Sequence, residues 1–76
     1  MAAIREHQRI VLTVDLPNEK LVAGDVGTVV HVHRDGAAYE VEFEALDGET
    51  VAIATLDAVQ IRPIGHREIT HARRVA

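Results

Sequence analysis

The side chains best suited to chemistry fall in two short patterns. In His31-x-His33 two imidazoles share one face of an extended segment, and Glu40, on the segment that follows, supplies a carboxylate beside them. Zinc or nickel takes three or four ligands, at about 2.0–2.2 Å for histidine and carboxylate donors. Only two or three candidates converge here, so the pattern reads as a solvated face, and neither a metal nor another cofactor is expected. His31 beside Glu40 then forms a pH-sensitive pair, because imidazole changes charge between about pH 5 and 8.

The second pattern is the alternation of Glu40, Glu42 and Glu44 with Tyr39, Val41, Phe43 and Ala45, which lines up three carboxylates on one outward face. Paired carboxylates perform general acid–base catalysis where a cleft raises one pKa, and an open strand face provides no cleft. The row reads either as a solvated strand or as a docking surface for a basic partner, with this chain's own Arg67, Arg73 and Arg74 as further candidates to meet it. Serine and cysteine are absent. Their absence removes serine and thiol nucleophiles, disulfides and thiolate zinc sites together, and no phosphate-cradling loop or dinucleotide fingerprint occurs. No enzymatic activity is expected.

The elements that must position these groups are strands. Alternation and β-branched runs dominate from Arg9 to Pro63 and predict strands over Arg9–Val14, Gly27–Arg34, Ala38–Leu46, Glu49–Thr55 and Val59–Arg62. Pro17, Asn18 and Gly24 make Asp15–Val26 a long loop. A two-residue Asp35-Gly36 turn pairs Val30 with Val41, Val32 with Tyr39 and His31 with Glu40. A three-residue Asp47-Gly48-Glu49 turn, with Gly48 left-handed, pairs Phe43 with Ile53 and Ala45 with Val51. Leu56-Asp57-Ala58 is short enough for one helical turn, capped by Thr55. The expected core is Ile10, Leu12, Val14, Val30, Val32, Tyr39, Val41, Phe43, Val51, Ile53, Leu56, Val59 and Ile61. The fold class is all-β: a small SH3-like, five-stranded, partly open barrel with a short helical turn before the last strand and a C-terminal tail.

A chain of 76 residues supports one domain, because at this size only about 60–65% of the unfolded surface is buried. Three stretches follow: an N-terminal segment (1–8), the barrel (9–63) and a C-terminal tail (64–76). Charge is segregated along them. Residues 1–64 hold 5 Lys and Arg against 11 acids, net −6, while residues 65–76 hold 3 against 1, net +2. Such a tail frays, folds on a partner or packs back on its own acidic barrel. No signal-peptide apolar core and no membrane-spanning run occurs, and the lack of cysteine fits a cytoplasmic setting.

Ala23-Gly24-Asp25-Val26-Gly27-Thr28-Val29-Val30, Tyr39-Glu40-Val41-Glu42-Phe43 and Asp47-Gly48-Glu49-Thr50 together resemble a family of small bacterial proteins catalogued as domain of unknown function 4926. The resemblance runs over roughly residues 8–63, and it implies an SH3-like barrel with no assigned activity. More distantly, Gly24-Asp25-Val26-Gly27-Thr28-Val29 is similar to the turn of KOW-type barrels, which often bind RNA through basic loops. Here the equivalent surroundings carry Asp15, Glu19, Asp25 and Asp35 against Lys20 and Arg34.

The resulting expectation is a non-catalytic protein-interaction module that docks a basic partner, in one form neutralising a small protein as an antitoxin does. The partner-binding residues are Glu40, Glu42, Glu44, Arg67, Arg73 and Arg74. One alternative is a KOW-like accessory in which Arg67, Arg73 and Arg74 contact nucleic-acid phosphates. Another is a homo-oligomer in which the tail of one copy lies along the acidic face or open edge of the next. Proline-peptide and single-strand recognition need exposed aromatic side chains. The chain has one Tyr, one Phe and no Trp, and both aromatics are assigned to the core.

Overall fold

The computed structural model describes residues 3–75; Met1, Ala2 and Ala76, the outermost residues of the N-terminal segment and the tail, lie outside the described residues. Five strands form: β1 (Arg9–Leu12), β2 (Val26–His33), β3 (Ala38–Glu44), β4 (Thr50–Leu56) and β5 (Ile61–Pro63). All neighbours are antiparallel, in the order β4-β3-β2-β1-β5. The sheet curls around one core and leaves β4 and β5 unpaired with each other, a small, partly open barrel. No helix among the described residues is long and apolar enough to cross a membrane.

The core follows from alternation on each strand. Ile10, Leu12, Val29 and Val41 are fully buried, joined by Tyr39, Phe43, Ala54, Leu56 and Ile61. Gly27 allows β2 to cross close over this core: a Cβ there would lie 2.6 Å from Val41 Cγ1 and 2.9 Å from Phe43 Cε1. Only a residue without a side chain fits that approach.

Parity along β2 departs from the sequence expectation. The register runs Thr28↔Glu42, Val29↔Val41 and then His31↔Glu40, so Val30 is the extra residue of a β-bulge. Val29 takes the core position expected of Val30, which is 38% exposed. Beyond the bulge, Val32↔Tyr39 and His31↔Glu40 pair as expected. The connecting loop keeps that register with a wider turn: the His33 carbonyl accepts from both Gly36 and Ala37 N–H, and Arg34, Asp35 and Gly36 are all left-handed.

The second hairpin also combines a turn with a bulge. Gly48 is left-handed as expected, and Ala45 N–H donates to the Glu49 carbonyl at 2.8 Å to close the loop. The register is Glu44↔Thr50 next to the loop but Phe43↔Ala52 and Glu42↔Ile53 beyond it, which makes Val51 the extra residue. Phe43 therefore faces Ala52 and not Ile53. Ala54 lines the core while Ile53 is 58% exposed.

Three further expectations are corrected. β1 ends at Leu12, so Val14 lies outside the strand and is exposed, and Val59 is 81% exposed in the link before β5. That link is a single tight turn, closed by Gln60 N–H to the Asp57 carbonyl at 3.1 Å, with the Asp57 carboxylate accepting from Val59 N–H. Asp57 caps it; the Thr55 hydroxyl turns to Glu40 instead. The long loop is itself organised: Pro17–Glu19 forms a 3₁₀ turn, Leu16 and Leu21 exchange backbone hydrogen bonds around it, and Leu21 enters the core at 3% exposure.

Candidate interaction face

β3 lies inside the sheet, between β2 and β4, so the side chains it does not bury stand in the middle of an open face. Glu40, Glu42 and Glu44 alternate outward between buried Tyr39, Val41 and Phe43. Donors on the flanking strands hold two of them. Thr55 Oγ1, on β4, donates to both Glu40 oxygens at 2.9 Å, and His33 Nε2, on β2, donates to Glu40 Oε2 at 2.7 Å. Thr50 Oγ1 donates to Glu42 Oε2 at 2.6 Å. The His33 hydrogen bond, with that of Thr55 and the nearby His33 and His31 charges, holds the Glu40 carboxyl below the usual carboxylate range despite some desolvation. His31 stands edge-on to His33, ring centroids 4.5 Å apart, and its Nδ1 is 3.4 Å from Glu6 Oε2. Exposed Ile53 adjoins Glu42 across the β3–β4 pairing. Among the described residues no cluster of three or more His, Asp or Glu is arranged to hold a metal.

The arginines of the tail lie elsewhere. Arg73 Nε donates to Asp25 Oδ1 at 2.8 Å, and its Nη2 donates to Asp25 Oδ2 and, at 3.1 Å, to the Lys20 carbonyl. Burial pushes the Asp25 carboxyl up, but the Arg73 hydrogen bonds, the Val22 N–H and the guanidinium charge outweigh it and hold the group below its ordinary value. Glu68 accepts from Arg62 Nη1 and Nη2 at 2.8 and 2.7 Å and from Gly65 N–H, which lowers its carboxyl to about 2. Arg67, left-handed, and Arg74 are exposed. Among the described residues no ion pair joins Arg67, Arg73 or Arg74 to Glu40, Glu42 or Glu44. The tail packs back on its own barrel at Asp25, in the loop before β2, and leaves the outward row uncovered by its arginines.

Sequence reasoning missed Asp25 and the Lys20 carbonyl as the seat of Arg73. They lie 48 and 53 residues from it, and no local spacing links them. The chain belongs to the family described as domain of unknown function DUF4926, which matches residues 6–63. Comparison with curated proteins and with solved structures returned no match.

Proposed function

We propose that this chain is a non-catalytic protein-interaction module whose outward β2–β3–β4 face docks a basic partner. The observation that carries the reading is that Glu40 and Glu42 are already oriented by Thr55, His33 and Thr50, in the centre of a sheet face beside exposed Ile53. Pre-oriented carboxylates lose less freedom on binding than mobile ones, and a row of like charge speeds and steers encounter with cations. An apolar neighbour adds area that excludes water. Masking of a small, basic, nucleic-acid-directed protein in the cytoplasm is the specific, antitoxin-like form of the proposal.

Direct phosphate contact by Arg67, Arg73 and Arg74 has less support, because the Arg73 guanidinium is engaged by Asp25 and the only Tyr and Phe are buried. The test is a pull-down from the native host with the tagged full chain, beside a Glu40→Lys, Glu42→Lys, Glu44→Lys variant whose fold is checked by circular dichroism. A small basic protein retained by the native chain and lost with the variant supports the face. Equal retention by both removes it, and recovery of nucleic acid favours the phosphate reading.

A further inference from the structure

A second surface feature lies apart from the outward face. At the end of the barrel where the long loop meets the second hairpin, a groove of about 410 Å³ is lined on the barrel side by Leu21, Val26, Phe43 and Val51, with Asp25 at its rim. The tail, from Thr70 to Val75, forms its other wall.

Residues 64–74 are exposed and Val75 is half-buried. Among the described residues no backbone–backbone hydrogen bond ties 64–75 to the barrel. Beyond the Arg62–Glu68 turn, the Arg73 guanidinium ties the tail to the barrel, and the tail lines the groove.

The seat of that guanidinium, by contrast, is built into the barrel. With Arg73 seated on it the Asp25 side chain is 17% exposed, and Val22 N–H, on the barrel side, orients its Oδ2 at 2.9 Å. The Lys20 carbonyl, at the left-handed residue that ends the 3₁₀ turn, converges on the same guanidinium. A carboxylate and a carbonyl fixed by the fold make a directional receptor for the planar arginine fork, which a lysine ammonium does not match.

We propose that this groove is a receptor for an extended segment of a partner protein that carries an arginine followed two residues later by an aliphatic side chain, and that the chain's own Arg73-Arg74-Val75 is a displaceable stand-in for it. The arginine enters the Asp25–Lys20 seat, and the aliphatic side chain lies over Phe43 and Val51. The site is independent of the outward acidic row, although Glu44 lies at the border of both.

A segment that must first displace the tail binds more weakly by the fraction of open molecules. The test uses a fluorescein-labelled peptide of the tail sequence, HREITHARRV, titrated by anisotropy against the full chain, its Arg73→Ala variant, and the Arg73→Ala, Asp25→Asn double variant. Asparagine keeps an acceptor for Val22 N–H while removing the charge. The expected result is at least tenfold tighter binding to Arg73→Ala than to the native chain, lost in the double variant and lost when alanine replaces the peptide's arginine at the Arg73 position. No binding to Arg73→Ala at about 1 mM, the weak end of specific association, overturns the proposal, as does binding indifferent to Asp25→Asn. A native dimer that Arg73→Ala dissolves overturns it in favour of tail exchange between copies. The outward row is untouched by these variants, so its success or failure is read separately.

Discussion

Gly27 shows how a single residue limits the fold. Its neighbours, Val41 and Phe43, are rigidly buried and cannot yield to a Cβ placed 2.6 Å from one and 2.9 Å from the other. Overpacking of this kind costs about 1–3 kcal/mol, and Gly27→Ala is expected to lower the urea midpoint accordingly; an unchanged midpoint contradicts the close approach. A second residue-scale prediction concerns Glu68. Its folded value of about 2 lies below the ordinary 4.5, so its pairing with Arg62 stabilises fully above the ordinary value and is lost as pH falls through that window toward 2. Asp25 and Glu40 are lowered in the same direction and add to the acid-side loss. Side-chain carboxyl titration by NMR is expected to show the Glu68 midpoint rising toward its ordinary value in Arg62→Gln; the same low midpoint in that variant would refute the pairing.

Among the elements, the strands and their order of appearance were legible because alternation marks them, and the His31↔Glu40 register followed from parity alone. Parity failed where two apolar residues stand side by side. Val29-Val30 satisfies either phase, and the bulge at Val30 chooses Val29 for the core. In β4 the run Val51-Ala52-Ile53-Ala54 favours burying the larger Ile53, yet the bulge at Val51 turns the alanines inward against Phe43 and Val41. Leu21 was hidden because loop signals surround it; the Leu16–Leu21 bridge and the loop's backbone hydrogen bonds to Leu12 bring it back to the barrel. These placements reverse the ordinary ranking of substitutions. Leu21→Ala, in a loop, is expected to cost about 2–5 kcal/mol as a large-to-small core change. Ile53→Ala, in a strand, is expected to cost under about 1 kcal/mol, the span of β-propensity. Chemical denaturation of the two variants checks the order, and the reverse order contradicts the register of β4.

At the scale of the whole molecule, the charge segregation seen in the sequence resolves into two addresses. The acidic row was legible from alternation on β3, whereas the Arg73–Asp25 contact was not, because it joins residues that only the closed barrel brings together. The tail's arginines therefore do not neutralise the face that the barrel presents. The central claim, a docking face made of oriented carboxylates, is tested most directly on the basic partner recovered with the native chain. Its affinity for the native chain and for a Glu40→Gln, Glu42→Gln variant is measured by calorimetry at low and high salt. Close charge pairs across an interface contribute about 1.5 kcal/mol or more each, so the predicted result is at least a tenfold loss and a flatter dependence on salt. Equal affinity and equal salt dependence in the two proteins would contradict the account.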